Sequence, residues 1–347
     1  MAVKGISAGL IVLALVLTSF QTVAQDGSIR QRIKNRLEQR QQGKADTGDD
    51  SSLSKPGNHR LTLEHDGLTR RYLVHVPLSY QPDKPAALVV ALHGGGGNMD
   101  FQADDHKYGL IGKSEQAGFV VVFPNGYSKF PSGNLATWNA GNCCAAARDA
   151  QVDDTGFIRA MVTQLEAKLN LDRQRIFATG MSNGAMMSYR LACEMADVFT
   201  AIATVAGTDN TRQCQPVRPV SVLHIHAKND PRVPFDGGVG SNSVRKEAVT
   251  DYQSVADTVA KWTKLDSCAS KPQRTLDKPG ATCDVYAPCL GGVQVQLCVT
   301  ETGGHSWPGG QKSRADEPPS QAISAVDVMW DFFSRQTLPA NGPTPQR

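Results

Sequence analysis

The pentapeptide GMSNG at residues 180–184 lies between a short β-rich run and a helical run. Residues 175–179 form the β-rich run, and residues 185–192 contain no glycine or proline that would break a helix. The pentapeptide matches G-x-S-x-G, in which small residues on both sides of a serine let a strand turn sharply into a helix. Such a turn exposes the hydroxyl of Ser182 to a base that can remove its proton. The pattern predicts a strand–turn–helix unit with Ser182 as a nucleophile, and an ordinary glycine-rich turn is the alternative.

A candidate acid follows a later β-rich run. Residues 220–227 form this run, and Asp230 lies in the loop after it. With the chain order serine, acid, histidine, an acid in such a loop can orient the histidine. Asp236 also has the correct order and is the alternative, and Asp230 could instead only start a turn before Pro231. The sequence favours Asp230 as the acid.

The candidate base is His305, in the segment GGHSWPGG at residues 303–310. Among the eight histidines, it alone combines the required order with a shaped loop that is bracketed by glycines. His224 and His226 lie inside the β-rich run before the acid. They are therefore predicted to be core or supporting residues.

A second glycine-rich segment predicts an oxyanion hole. Residues 87–92 form an apolar run that leads into HGGGGN at residues 93–98. A loop of this kind donates a backbone N–H group to the oxyanion, and the residue after the nucleophile donates another. Gly94, Gly95 and Asn183 are the predicted donors. A phosphate-binding loop is the alternative, but no Gly-Lys-Ser/Thr follows this segment.

Three further residues are predicted to contact the substrate. Trp138 lies in the polar loop at residues 127–151, Trp307 follows His305 closely, and His93 begins the glycine loop. Aromatic side chains at these positions suit a phenolic or polyester acyl group. The alternatives are that Trp138 packs against the neighbouring cysteines and that Trp307 supports the histidine loop.

Strand-like and helical stretches alternate along the chain. Strands are predicted at 86–93, 119–123, 175–180, 201–206 and 220–227, and helices near 102–117, 153–169, 182–196, 251–265 and 320–335. Alternation of this kind indicates an α/β protein with a mostly parallel sheet and helices on both faces. A hairpin at residues 61–77, turning at Asp66-Gly67, is predicted to precede this sheet. Together with the serine motif, these elements predict an α/β-hydrolase fold.

From about Leu61 to Phe333 the chain resembles the secreted esterases grouped as polyhydroxybutyrate depolymerases and feruloyl or acetylxylan esterases. The matching segments are RRYLVHVP at 70–77, LHGGGGN at 92–98, WNAGNCC at 138–144, VDDTGF at 152–157, GMSNG with Met186 and Met187, and GGHSWPGG at 303–310. The resemblance implies a serine esterase without a cofactor, whose triad is Ser182, Asp230 and His305.

The resemblance leaves the ester substrate open. Polymeric or oligomeric hydroxyalkanoate esters are favoured, and feruloyl or acetylxylan esters of plant walls are the alternative. The family usually has a Gly-Thr-x-Asp run before the acid, whereas this chain has AKND at residues 227–230, a difference that concerns loop shape and substrate preference. An inactive exported binding or adhesion protein on a hydrolase scaffold is the alternative from a different functional class.

Residues 1–24 have the pattern of a signal peptide. Lys4 precedes an apolar stretch at residues 6–20, and Thr22-Val23-Ala24 is a small-residue cleavage site. The pattern predicts a secreted or periplasmic protein. No other apolar run has the roughly 20 residues that a membrane helix needs.

Composition divides the remaining chain into three segments. Residues 25–58 are predicted to be a polar, partly disordered linker, residues 59–337 the esterase domain, and residues 338–347 a disordered tail. Residues 28–40 have the spacing of a basic amphipathic helix that contacts an anionic envelope, although a solvated linker is favoured. The formal net charge of +3 points to neither nucleic acid nor an acidic partner, and the oligomeric state is left open.

Eight cysteines in an exported chain predict four disulfides. The predicted pairs are Cys268–Cys289, Cys283–Cys298 across a hairpin centred near Leu290-Gly291, and Cys143 and Cys144 bonded separately to Cys193 and Cys214. The adjacent cysteines are given separate partners because a vicinal disulfide strains the backbone. No C-x-x-C pair or zinc-type histidine spacing is present, so no metal is predicted. Asp153 and Asp154 are predicted to cap a helix rather than to bind a metal.

Overall fold

A mixed sheet forms the centre of the computed structural model, which describes residues 53–240, 251–311 and 317–338. Its ten strands within these residues are β1 (Gly57–His65), β2 (Leu68–Val76), β3 (Ala86–Leu92), β4 (Val120–Pro124), β5 (Leu171–Met181), β6 (Ala201–Val205), β7 (Ser221–Ala227), β8 (Gln273–Lys278), β9 (Ala281–Tyr286) and β10 (Val295–Thr300). Their order is β1-β2-β4-β3-β5-β6-β7-β10-β9-β8. The neighbours from β4 to β10 in this order run parallel. Antiparallel pairs extend the sheet at both edges, which confirms the prediction of a mostly parallel sheet.

Helices cover both faces of this sheet, as predicted. They are α1 (Met99–Gln102), α2 (Asp105–Tyr108), α3 (Leu110–Ala117), α4 (Ala145–Asp149), α5 (Asp154–Glu166), α6 (Asn183–Glu194), α7 (Val255–Leu265) and α8 (Ala325–Phe333). Buried side chains of α5, α6 and α7 join one core cluster, and those of α3 and α8 join the other. Of the helices in the described ranges, none combines the length and the apolar character needed to span a bilayer.

Strand β3 shows how the two core layers arise from one apolar run. Leu88 and Val90 belong to one core cluster, whereas Val89 and Ala91 belong to the other. Successive side chains of a strand point to opposite faces, so a strand that is buried on both faces needs apolar residues throughout. This burial holds the end of β3, and the glycine loop that follows it, in a fixed place.

The predicted helix at 102–117 is three short helices in the structure. Asn98 caps α1 and Asp104 caps α2 through side-chain oxygens that accept backbone N–H groups. Gly109 has a left-handed backbone with φ 68°, which ends α2 before α3 begins. A glycine adopts this conformation at little cost, so a single continuous helix was the wrong prediction.

The folded domain begins earlier than predicted. Leu53 is buried in the core and β1 begins at Gly57, although both residues were assigned to the linker. The burial of Leu53 anchors this end of the domain because removing its apolar surface from water is favourable. The predicted signal peptide (1–24), the amphipathic stretch (28–40) and the tail beyond Leu338 lie outside the described residues.

The disulfide pairing agrees with the prediction in part. Cys268–Cys289 and Cys283–Cys298 are paired as predicted, and Cys283 lies directly opposite Cys298 in the β9–β10 register. The other pairs are Cys193–Cys214 and Cys143–Cys144, so separate partners for the adjacent cysteines were the wrong prediction. The Cα atoms of Cys193 and Cys214 lie 5.0 Å apart, within the usual range for a disulfide. With those two cysteines joined, Cys143 and Cys144 have only each other.

Asp266, at the end of α7, is a buried carboxyl with few hydrogen bonds. Its Oδ1 accepts the Val220 N–H at 3.2 Å, and its Oδ2 has no hydrogen-bond partner in the described part of the chain. Burial raises the pKa of Asp266 from 3.8 to about 7, against smaller lowering effects of the Val220 hydrogen bond and of Arg218. The folded state therefore holds this proton more tightly than the unfolded state does.

We expect Asp266→Asn to stabilise the protein at about pH 8 but not at about pH 4. Stability from a raised carboxyl pKa is present below the unfolded-state value and is lost as pH rises through the folded-state value. A shift from 3.8 to about 7 corresponds to at most about 4 kcal/mol of unfolding free energy. Urea unfolding of both proteins at the two pH values measures the difference. Equal effects of the substitution at both pH values would contradict this expectation.

Candidate active site

Ser182 lies at the sharp turn between β5 and α6, as the serine motif predicts. Strand β5 ends at Met181 and α6 begins at Asn183. Ser182 has φ 56° and ψ −122°, a conformation that L-residues adopt rarely and only where the surroundings enforce it. Its N–H donates to the Val205 carbonyl at 2.9 Å, which fixes the turn to the next strand.

The glycines of the motif are required by close backbone contacts. A Cβ atom at Gly180 would lie 2.5 Å from the carbonyl carbon of Gly184. A Cβ atom at Gly184 would collide with the carbonyl oxygens of Leu92 and His93. The helix therefore approaches the end of β3 so closely that no side chain fits at either position.

The acid and the base predicted from sequence are in contact. His305 Nδ1 lies 2.8 Å from Asp230 Oδ2, and both side chains are largely buried. Asp230 Oδ1 accepts the N–H groups of Arg232 at 2.8 Å and Val233 at 3.0 Å. The rival acid, Asp236, is exposed in a turn. Because a carboxylate only accepts hydrogen bonds, His305 donates through Nδ1, and its Nε2 is then free to accept a proton.

Asp230 is held in its charged form. Burial alone would raise its pKa, but the charge of His305, the hydrogen bonds from His226 and His305, and the charge of His226 outweigh that effect. The pKa of Asp230 therefore lies well below its ordinary value. A carboxylate that stays ionised in a buried position can stabilise positive charge on the imidazole beside it.

Ser182 and His305 line one cavity of about 520 Å³. The glycine loop (Gly94–Gly97) forms one wall of the cavity. The rest of the lining consists of four large side chains (Phe101, Tyr108, Met181 and Trp307), two cations (Lys107 and Arg232), and Ser306, Gln311 and Pro319. Trp307 reaches this cavity as predicted, and the edge of its ring system packs against Tyr108 with centroids 5.4 Å apart. The cavity is therefore mostly apolar, with a cation at Arg232 and a second cation, Lys107, that is paired with Asp104.

The glycine loop lies beside the turn that carries Ser182. A Cβ atom built on Gly94 would be 3.5 Å from Ser182 Cβ, and one built on Gly95 would be 3.5 Å from Asn183 Cβ. The N–H groups of Gly96 and Gly97 already donate to the carbonyls of Ala136 and Gly94, so these two do not serve an oxyanion. The candidate donors are thus the earlier N–H groups of the loop and the N–H of Asn183, at the start of α6.

His93 is a support of the glycine loop, and its predicted contact with substrate is wrong. The ring is fully buried: Nε2 accepts the Gly126 N–H at 2.9 Å, and Nδ1 donates to the Gly94 carbonyl at 2.8 Å. Burial lowers the pKa of His93 to about 4, against a raising effect of the Gly94 hydrogen bond. A neutral ring with both nitrogens hydrogen-bonded fixes the loop but cannot reach the cavity.

Trp138 does not line the cavity either, because its ring is fully buried. Its Nε1 donates to the His93 carbonyl at 3.0 Å, and the two rings pack with centroids 5.0 Å apart. The backbone of Trp138 pairs with the side-chain amide of Asn183 through hydrogen bonds of 2.7 and 3.0 Å. Trp138 therefore ties the glycine loop to the start of α6 from beneath the site.

The two acids at the start of α5 have structural contacts. Asp153 caps α5 by accepting the Gly156 N–H at 2.9 Å, and Asp154 forms a buried ion pair with Arg70 at 2.7 Å, in agreement with a structural role. A contact from the Tyr189 hydroxyl to His224 of β7 was not predicted from the sequence. The sequence pattern that indicates this contact is the pair His224 and His226, two polar residues at alternate positions of an apolar strand. Alternate positions lie on one face of a strand.

Comparison with known proteins shows the family to which this sequence belongs. A model of the family described as Esterase PHB depolymerase matches residues 72–275. Feruloyl esterase B of Piromyces equi is 29% identical over 279 residues, which are 78% of this chain but only 46% of that protein. The chain thus spans about half the length of that relative.

Two further relatives align over more of their own length. The putative esterase NocK of Nocardia uniformis subsp. tsuyamanensis is 30% identical over 287 residues, 77% of this chain and 80% of that protein. The solved structure of the acetyl xylan esterase from Aspergillus awamori has a TM-score of 0.53 and 16% identity, covering 79% of this chain and 98% of that chain. At 16% identity, the similarity to this structure shows only that the two proteins share a fold. Because the family match covers more than half of the sequence, this chain belongs to the esterase PHB depolymerase family and has the α/β-hydrolase fold.

Proposed function

We propose that this protein is an exported serine esterase that cleaves carboxylic ester bonds through Ser182. The observation that carries the proposal is the 2.8 Å contact between Asp230 and His305, beside the cavity that His305 and Ser182 both line. The order of these three residues in the chain is the order of an α/β-hydrolase triad. The signal-peptide pattern of residues 1–24 and the four disulfides support export.

In the proposed reaction, Ser182 Oγ attacks the ester carbonyl carbon while His305 Nε2 accepts the hydroxyl proton. The carbonyl oxygen becomes an oxyanion, which the N–H groups of Gly94 or Gly95 and of Asn183 stabilise. The carbon–oxygen bond of the ester then breaks, and the imidazolium protonates the leaving oxygen to release an alcohol. Water attacks the acyl-enzyme by the same steps, which releases a carboxylic acid and restores Ser182.

Asp230 acts on this reaction through His305. By accepting the Nδ1 proton it selects the tautomer whose Nε2 can take the proton of Ser182, and its charge stabilises the imidazolium. The strained turn at Ser182 places the hydroxyl ahead of the helix rather than within it. Each oxyanion donor typically contributes about 2.7–4 kcal/mol to transition-state stabilisation.

The favoured substrates are oligomeric or polymeric hydroxyalkanoate esters. The volume of about 520 Å³ is within the usual range for a small-molecule site, and its apolar side chains suit short aliphatic ester units. Arg232 can attract the terminal carboxylate of such an oligomer, whereas Lys107 is already paired with Asp104. Feruloyl or acetylxylan esters are the second candidate, supported by the names of the relatives and by the aromatic side chains of Phe101, Tyr108 and Trp307.

A substrate panel separates these candidates. We expect kcat/KM for soluble hydroxybutyrate oligomers to exceed that for methyl ferulate by at least about tenfold, which corresponds to about 1.4 kcal/mol of transition-state stabilisation. The panel also includes acetylated xylan oligomers and p-nitrophenyl butyrate, with Ser182→Ala as the control for background hydrolysis. A preference for methyl ferulate or acetylated xylan would favour the second candidate. No hydrolysis of any ester would favour an inactive binding protein.

A further inference from the structure

A line of buried polar side chains leads from Asp230 into the core. His226 Nε2 lies 3.4 Å from Asp230 Oδ2 and 2.8 Å from the Val233 carbonyl oxygen. His226 Nδ1 lies 3.0 Å from His224 Nε2, and His224 Nδ1 lies 2.7 Å from the Tyr189 hydroxyl. His226, His224 and Tyr189 have at most 1% exposure, so they bond to one another rather than to water.

Packing alone does not require polar groups at these positions. His224 and His226 belong to β7, a central strand whose residues are all buried. Burying an imidazole costs free energy unless its nitrogens are hydrogen-bonded, whereas an apolar side chain would fill the space without that cost. The nitrogens of both rings are satisfied, and the line that they form ends at the catalytic acid.

The contacts define the direction of the hydrogen bonds. The Val233 carbonyl only accepts, so His226 Nε2 carries a proton. Burial, with a smaller effect of His226, lowers the pKa of His224 well below its ordinary value, so this ring is neutral. When His226 carries one proton, on Nε2, its Nδ1 accepts from His224 Nε2 at 3.0 Å. His224 Nδ1 then accepts from the Tyr189 hydroxyl at 2.7 Å, with the Thr204 hydroxyl 3.1 Å from the same nitrogen. The His226 N–H is thereby aimed at the Asp230 loop.

We propose that His226 is a positioning residue for the proposed esterase reaction. Its Nε2–H, which His224 and Tyr189 orient, holds Asp230 in place and sets how strongly Asp230 stabilises the proton on His305. This inference rests on the proposed function. Asp230 Oδ2 faces both His305 Nδ1 and His226 Nε2, so the two N–H groups share its negative charge. Val233 closes the arrangement, since its N–H donates to Asp230 and its carbonyl accepts from His226.

Loss of the His226 N–H leaves more negative charge on Asp230 Oδ2 for His305. The imidazolium of His305 then becomes more stable, so a higher pH is needed to free its Nε2 as a base. Other charged or titratable groups near the acid and the base are Tyr252, Arg232, Lys107 and Glu317. They remain unchanged in the variants below, so they cannot account for differences between variants.

The test compares His226→Met with His226→Gln in the full chain, using p-nitrophenyl butyrate from about pH 5 to pH 10. Methionine fills the space without an N–H group, whereas glutamine can place an amide N–H near the position of Nε2. For His226→Met we expect kcat near neutral pH to fall about tenfold, with KM changed less than about threefold. For the same variant we expect the acidic limb of the pH profile of kcat/KM to move to higher pH by about 0.5 unit or more. We expect His226→Gln to restore most of the lost kcat and to return the acidic limb most of the way to its wild-type position.

Tyr189→Phe provides a second test if His226→Met does not fold. It removes the hydroxyl that lies 2.7 Å from His224 Nδ1 and leaves the Thr204 hydroxyl at 3.1 Å, so the acidic limb should move in the same direction by a smaller amount. Tyr72→Phe is the matched control, because Tyr72 is also fully buried and donates a 2.7 Å hydrogen bond, to Gln164. That control should leave the acidic limb unchanged, and circular dichroism checks that each variant is folded.

An unchanged acidic limb in folded His226→Met, or in Tyr189→Phe where the former does not fold, would overturn the inference and leave the two histidines a packing role. An equal shift in Tyr72→Phe would also overturn it, since that hydroxyl is outside the line. Failure of the proposed function looks different: the wild type would be inactive, or Ser182→Ala would retain wild-type turnover.

Discussion

Replacing Ser182 with alanine is expected to abolish ester hydrolysis and to leave the fold intact. The substitution removes the attacking oxygen, and the neighbouring glycines that shape the turn remain. In a well-studied serine protease, loss of the nucleophile costs about 10⁶ in kcat, and we expect a loss of that order here. The measurement is kcat on p-nitrophenyl butyrate for purified wild type and variant, with circular dichroism as the check on folding.

Ser114→Ala is the matched control for this prediction. Ser114 is fully buried, whereas Ser182 is half-buried, and the Ser114 hydroxyl donates to the Phe119 carbonyl at 2.5 Å, outside the cavity. Loss of that hydrogen bond costs about 1 kcal/mol of stability and should leave kcat unchanged. Turnover by folded Ser182→Ala at the wild-type rate would falsify the assignment of the nucleophile.

The second large effect is expected at the acid. Asp230→Asn should lower kcat by at least about two orders of magnitude, because an amide favours the wrong tautomer of His305; the same change in a serine protease costs about 10⁴. Packing should change little, since the amide oxygen can still accept the N–H groups of Arg232 and Val233. Asp236→Asn should lose less than about tenfold, because Asp236 is an exposed turn residue.

The two variants form a matched pair, since each exchanges one carboxylate for an amide in the same loop. Both are assayed on one soluble ester at a pH where the wild type is fully active, and circular dichroism confirms folding. If Asp236→Asn were the inactive variant and Asp230→Asn the active one, the acid would be wrongly assigned, although Ser182 and His305 would stand.

Local sequence was enough to predict the elements that carry the site. The turn at Ser182 depends on Gly180 and Gly184, which lie within five consecutive residues, so the sequence alone shows the pattern. The β-rich and helical runs have distinct periodicities, and their alternation predicts a parallel sheet. The chain order serine, acid, histidine, together with the loop settings of Asp230 and His305, predicted that the acid would orient the histidine.

Which side of the chain each aromatic ring faces was decided only by the tertiary structure. Trp138 and His93 were predicted to reach the substrate, but they fill the space beneath the glycine loop and bond to its backbone. Trp307 has a similar loop context in the sequence and does line the cavity. A loop residue turns inward or outward according to the packing around it, which a one-dimensional pattern does not contain.

Partner choice among distant groups likewise needed the fold. Cys193 pairs with Cys214 because α6 and the loop after β6 bring them together, and this left Cys143 and Cys144 to each other. His226 reaches Asp230 because β7 leads straight into the acid loop, while Tyr189 comes from a different element. Residue types, order and local turns are properties of the chain, whereas contacts between distant residues arise only when the sheet assembles and buries them together.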